Sequence, residues 1–283
     1  MAAEMSMDRV YCESGDDRFG TMTCVILQPS YIPWRGYFHQ IRRADTFVFY
    51  DDVNYDKHGW RNRNRVKTPN GVQWLTIPVT ATPGRQLHES PINQVRISDR
   101  NWGSRHWKTL VMAYSKAPYF KHYASLLEPC FHPVSEMLVD TTVPLTQLIA
   151  RELGICQTRF LRSSDMVAQG HKTERLIAIL KAVGADHYIS GPSARQYLDA
   201  RRFCESGITL EYMTYDYPEY GQLYPPFDPA VSILDLLFMI GPDASRHIWG
   251  SESATSTEAA QSASSGRSAI ASSDPPAGNE NPA

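Results

Sequence analysis

The sequence is short of paired cysteines, of long apolar runs and of net charge, and each shortage argues against a class of protein. Its five cysteines, Cys12, Cys24, Cys130, Cys156 and Cys204, are odd in number and widely spread, with no CxxC spacing and no His pair nearby. Neither a disulfide framework nor a zinc site is expected. No stretch approaches the roughly 18 uncharged apolar residues that a spanning helix needs. The opening Met1-Ala2-Ala3-Glu4 has neither the basic nor the apolar region of a secretory leader. A cytoplasmic location is the expectation, with no membrane partner. A formal charge of −2 provides no global field for nucleic acid, so such a partner has to be argued from a local patch. Also missing are an internal repeat, a GxSxG elbow and a nominated Cys/His pair, and His39, His58, His88, His106, His122 and His132 have no metal-triad spacing. No metal is expected.

What is present is a core. Hydrophobic residues make up 42% of the 283 positions and aromatics 11%, ample for packing. Residues 1–20 are polar and unpatterned, and 251–283 are Ser, Ala, Glu, Gly and Pro with almost no large apolar side chain. Such compositions do not bury enough surface to offset chain entropy, so both read as disordered, flanking one domain over 21–250. Within it, Met22 to Leu27 reads as a strand buried on both faces, Tyr37 to Ala44 as a helix and Thr46 to Tyr50 as a strand, a βαβ unit with parallel pairing. The Pro69-Asn70-Gly71 turn leads into a strand from Gln73 to Val79 that is expected to pair near this unit. Trp102 to Leu127 predicts two helices broken at Pro118, and Val134 to Leu153 continues helically with a break at Pro144. A second unit follows: a helix from the Gly170 region to Gly184, then a strand from His187. Val231 to Ile240, capped by Gly241, closes the domain. The fold class is α/β: a three-layer, parallel-type sheet, Rossmann-like or nucleotidylyltransferase-like, with a helical middle region.

Ligands of open parallel sheets bind beyond the carboxyl ends of the strands, which nominates the residues after each strand. After the first come Gln28, Ser30, Tyr31 and Trp34, held by Pro29 and Pro33, with Tyr37 a turn later. They offer a carboxamide, hydroxyls and aromatic faces to a phosphate or a sugar. After the second come Asp51 and Asp52, of which only one faces a given side; the plainer reading is a solvated turn. After the later strand come Ser190, Gly191 and Ser193. The stretch from Trp60 to Lys67 places four cations in seven residues, among them Arg61 and Arg63 around Asn62. It clamps an anion or is a solvated basic loop. Gly170-His171-Lys172-Thr173-Glu174 opens a helix, where free amides favour an anion. The full Walker pattern is absent, so an ordinary capped helix with an exposed Lys remains the alternative.

Taken together these segments resemble the WbqC-like protein family. The likeness runs through Ile26 to Phe38 (ILQPSYIPWRGYF), Asp51-Asp52-Val53, Trp60 to Asn64, Gly170 to Leu176, Tyr188 to Ala194 and Ser232 to Phe238. Some members lie in O-antigen clusters and have been proposed to transfer glycine to a sugar. A looser analogy is to the nucleotidylyltransferase-like fold that includes pantothenate synthetase, although Gly36-Tyr37 stands where that signature has Gly-His. The resemblance implies a group transferase that forms an amide or ester from an activated aminoacyl or acyl donor, with an amine or hydroxyl acceptor such as an amino sugar. Asp51 or His171 would take the nucleophile's proton, Ser30 and Lys172 would hold the donor's anionic part, and Arg61 and Arg63 would neutralise charge. Asp51, His171 and Lys172 are thus the catalytic candidates, and the substrate candidates are Gln28, Ser30, Tyr31, Trp34, Tyr37, Asp52, Arg61, Asn62, Arg63, Thr173, Glu174, Ser190, Gly191 and Ser193. ATP or an activated acyl donor is the candidate cofactor. A small molecule is the expected substrate, with a carrier protein or tRNA as candidate bearer. Two other readings stay open: a non-catalytic module binding a nucleotide-sugar or carrier-bound substrate, and aminoacyl-tRNA recognition through Trp60 to Lys67.

Overall fold

The structure, a computed structural model of the chain, describes residues 9–10, 20–132 and 135–250. The expected tail disorder and most of the N-terminal extension lie outside them. The strands are β1 (Arg9–Val10), β2 (Thr23–Leu27), β3 (Thr46–Phe49), β4 (Arg63–Thr68), β5 (Gly71–Thr76), β6 (Val79–Thr80), β7 (Arg96–Ile97), β8 (Arg159–Arg162), β9 (His187–Ser190) and β10 (Thr209–Tyr212). The helices are α1 (Arg35–Arg42), α2 (Trp102–Tyr114), α3 (Phe120–Leu127), α4 (Leu138–Glu152), α5 (Thr173–Ala182), α6 (Ala200–Glu205), α7 (Ile233–Ile240) and α8 (Arg246–Trp249). Among the described residues no helix is long and apolar enough to cross a membrane.

The main sheet runs β1-β10-β9-β2-β3-β8. Its five longer strands are parallel, with Val25 opposite both Phe47 and Ile189, and β1 adds antiparallel to β10. From β2 the chain builds outward through β3 and β8, then crosses back to the other side of β2 for β9 and β10. The order therefore reverses between β2 and β9, the switch point at which doubly wound sheets leave a crevice. Period-two alternation sends Cys24, Ile26, Val48, Tyr188 and Leu210 to one face, where they meet Leu176, Ile179 and Leu180 of α5 and Phe203 of α6. Phe47 faces α1, its ring 5.5 Å from that of Tyr37, and Phe38 and Ile41 of α1 are fully buried. Each such side chain contributes about 1.5–3 kcal/mol. The three-layer α/β class is thus the observed one, and the βαβ unit and the two helices around Pro118 fall where the pattern sets them.

Three elements differ from the sequence expectation. The Gln73 region does not join the main sheet: β5 pairs only with β4, as a separate hairpin turning at Pro69-Asn70-Gly71. The basic stretch is accordingly not a loop but strand β4, with Asn64 and Val66 buried and Arg63 and Arg65 half-buried. Its first four residues alternate, Arg63 and Arg65 outward and Asn64 and Val66 inward, and the Lys67 and Thr68 that close it are both buried. Pro144 does not break α4; the carbonyl that loses its amide donor belongs to Asp140, an exposed residue one turn earlier. β8, β10 and α6 are short and carried no separable signal.

Candidate functional site

A cavity of about 890 Å³ opens at the switch point. Its floor is the ends of β2 and β9, with Ile26, Leu27, Tyr188 and Ser190; its walls come from the 28–34 turn, α1, the start of β4 and the N-terminus of α5. Of the sequence candidates, Gln28, Ser30, Trp34, Tyr37, Arg61, Lys172, Thr173, Ser190, Gly191 and Ser193 line this one space.

The 28–34 turn is held from several sides. The Tyr31 amide donates to the Trp60 carbonyl at 3.0 Å. Asn64 Nδ2 donates to the carbonyls of Tyr31 and Ile32 at 3.1 and 2.7 Å. The Gln28 carbonyl accepts from Tyr37 Oη at 3.1 Å and from an Arg61 terminal nitrogen at 3.0 Å. These bonds sustain Ile32 at φ 37°, which a β-branched residue adopts only when its surroundings enforce it. Gly36 is required one turn on, because a Cβ there would lie 2.3 Å from the Trp34 indole. Trp34 in turn meets Tyr215 edge-on, ring centres 4.9 Å apart. Lys172 is a second strained residue, φ 50° and ψ −125°, at the cap of α5, and it leaves the side chain exposed.

Arg61 dominates the electrostatics. Burial pulls its pKa below the ordinary arginine value, opposed by Tyr37, Asp56 and Tyr55. Its recorded hydrogen bonds go to the carbonyls of Gln28 and Pro29, and its Nε is buried without a partner. No carboxylate forms an ion pair with it among the described residues. The residues lining the cavity include Arg61 and Lys172 but no Asp, Glu or His. A site with two cations, hydroxyls from Ser30, Thr173, Ser190 and Ser193, and broad aromatic and aliphatic walls suits an anionic group attached to an apolar or aromatic body.

The other candidates sit elsewhere. Asp51 is fully buried and its carboxylate is saturated by Arg162 Nε at 2.6 Å, the Ser164 amide at 3.0 Å and the Ser164 hydroxyl at 2.9 Å. The expected proton acceptor is instead a clamp between β3 and the end of β8. Asp52 pairs with Arg175 and accepts from the Ser163 hydroxyl at 2.6 Å. Tyr31 is buried with its hydroxyl 2.9 Å from His106 Nδ1. Asn62 donates to the Ile77 carbonyl at 2.8 Å, Arg63 lies over Trp74, and Glu174 pairs with Arg202. His171 is exposed beside Lys172, outside the lining.

Sequence reading missed Gln40, Tyr50, Tyr188, Tyr197 and Tyr215, which also line the cavity. Tyr50 directly follows β3 and Gln40 lies three residues after Tyr37 on α1, so strand-end and helical spacing point to both. Gln40 is buried, its Nε2 donating to Tyr215 Oη at 2.7 Å. Tyr215 belongs to an irregular segment with no periodicity to place it.

The strand order and the cavity at its reversal define a doubly wound α/β protein with a cavity at the switch point. The chain belongs to the WbqC-like protein family, whose model matches residues 28–247. It is similar to "Uncharacterized protein Rv1507c" of Mycobacterium tuberculosis, with 43% identity over 223 residues, 77% of this chain and 94% of that one. No solved structure matches it.

Proposed function

We propose that this chain is a group transferase that binds an activated aminoacyl or acyl donor in the switch-point cavity and passes its acyl group to an amine or hydroxyl, such as that of an amino sugar. The observation that carries this reading is the cavity's charge: Arg61, part-buried and not ion-paired although Asp56 lies near it, and Lys172 at a helix N-terminus, with no carboxylate in the lining. A phosphate or adenylate would supply the missing negative charge.

In this scheme the acceptor nitrogen or oxygen attacks the donor's acyl carbon, the new C–N or C–O bond forms, and the bond to the leaving oxygen breaks. That oxygen departs with the electron pair, and Arg61 and Lys172 stabilise the charge it gains. The acceptor's proton passes to His171, to the departing anion or to water. The walls supply orientation, which is the larger part of the work when the leaving group is already a good one. ATP, if used, would place its phosphates on the same cations.

The lack of an acid or base in the lining favours a second reading, a non-catalytic module that holds a nucleotide-sugar or carrier-bound substrate for a partner enzyme. Thermal shift with ATP, a non-hydrolysable acyl-adenylate and nucleotide-sugars separates ligand classes, since a ligand at 100 times its Kd adds about 2.7 kcal/mol. Labelled amino acid with ATP and amine acceptors then tests transfer. Tight binding of an adenylate analogue with no transfer to any acceptor would leave the module reading in its place.

A further inference from the structure

At the cavity mouth two indoles stand in the open, Trp60 just before β4 and Trp74 on β5. Trp60 and Trp74 are 42% and 45% exposed, their ring centres 5.3 Å apart and their planes 31° from parallel. Side chains of this size are usually covered. Strand register puts Arg65 directly opposite Trp74 and Arg63 on the same outward face. Their guanidinium carbons lie 5.9 and 4.8 Å from the Trp74 ring centre. Arg63 donates to the His58 and Gly59 carbonyls and has no carboxylate partner among the described residues; Arg65 reaches Asp228 only at 3.9 Å. Of the five cations in residues 57–67, Lys57 is exposed and Arg63 and Arg65 half-buried on this side, Arg61 lines the cavity, and Lys67 is buried against Gln222. Trp60 also lines the cavity, so the ledge runs into it.

We infer that this ledge is a stacking platform for single-stranded nucleic acid, which presents its acyl-bearing end to the cavity; the second half of this statement rests on the transferase reading. Aromatic faces interleaved with guanidinium groups match the alternation of base and phosphate along a single strand. A neutral sugar would use the indoles and leave the cations idle, and an acidic peptide would use the cations and leave the indoles idle. The rings are too close to admit a base between them, which takes two van der Waals separations of about 3.5 Å each. Bases therefore stack on the outer face of the pair, with phosphates toward Arg63 and Arg65.

The probe is a fluorescently labelled, unacylated single-stranded RNA oligomer, titrated by anisotropy against the full chain at several salt concentrations. Binding should weaken linearly in a log–log salt plot, and Arg63→Gln should lower that slope by about one. The double variant Trp60→Ala/Trp74→Ala should lose about five- to hundredfold in affinity with an unchanged melting temperature, and Trp60→Phe/Trp74→Phe should restore most of it. No RNA binding at low salt, affinity indifferent to the double alanine change, or displacement of the RNA by a neutral oligosaccharide would each overturn the platform. The two proposals fail separately. Trp-dependent RNA binding without transfer to any amine or hydroxyl acceptor keeps the platform and removes the transferase. Full-rate transfer from a free acyl-adenylate by the parent and by Trp74→Ala, whose indole lies outside the cavity lining, with no RNA affinity in either protein, does the reverse.

Discussion

Acidification should destabilise this protein through one histidine in a way the structure lets us size. His106 on α2 is buried, with Nδ1 against the hydroxyl of Tyr31, the residue at the centre of the 28–34 turn. Burial lowers its pKa from the ordinary 6.5 to about 4; a backbone hydrogen bond with Thr76 opposes that shift and the Arg105 charge adds to it. The unfolded chain thus takes up a proton near pH 6.5 and the folded chain does so only near pH 4. Stability is undiminished above about pH 7.5 and falls as the pH drops through 6.5, levelling off below 4. At about 1.36 kcal/mol per pH unit the interval corresponds to ~3.4 kcal/mol at the acid limit, and ~2 kcal/mol is already lost at pH 5. His106→Gln keeps a hydrogen-bonding group without a titration. Urea unfolding at pH 7.5 and 5.0 should show the parent losing ~2 kcal/mol more than the variant. Carboxylates such as Glu211, held near pKa 2 chiefly by its hydrogen bond with His187, titrate alike in both proteins and cancel. Equal losses in the two proteins would refute the reasoning, as would an imidazole proton signal from His106 titrating near 6.5.

Three further perturbations separate scaffold from site. Gly36→Ala forces a Cβ into the Trp34 indole and should cost about 1–3 kcal/mol in denaturant unfolding, with near-ultraviolet dichroism reporting the displaced ring. Lys172→Gly removes backbone strain and a cation together, so it should raise stability by ~1 kcal/mol while weakening anionic ligands in calorimetric titration. A loss on both counts would show that Lys172 is held without strain. Asp51→Ala leaves Arg162 without its carboxylate and should cost ~3 kcal/mol, with adenylate-analogue affinity unchanged in the folded protein; a selective loss of transfer at full stability would return Asp51 to the chemistry.

The sequence by itself determined those parts whose cause is local. Met22 to Leu27 is a short run without charge, with Thr23, Val25 and Ile26 β-branched, which suits a strand buried on both faces. Pro29 and Pro33 restrict the turn after it, and Gly184 and Gly241, at φ 73° and 70°, take up the left-handed geometry past two helix ends. Hence β2, β3, β9, the helices around Pro118 and the Gln28-to-Trp34 turn were legible, as were Ser190 by its place after a strand and Lys172 by its place at a helix start, both of which line the cavity. Tertiary structure alone decided which strands neighbour one another, and so where the order reverses. It also decided what each charge faces: Asp51 reads as a free carboxylate until Arg162 and Ser164, more than a hundred residues on, close around it, whereas Arg61 reads as surface until the fold turns it into the cavity, with Asp56 near but not ion-paired to it. Periodicity records how much of an element is covered; the identity of what covers it is set by contacts between segments far apart in the chain, and in this protein those contacts determine which charges are free to meet a ligand.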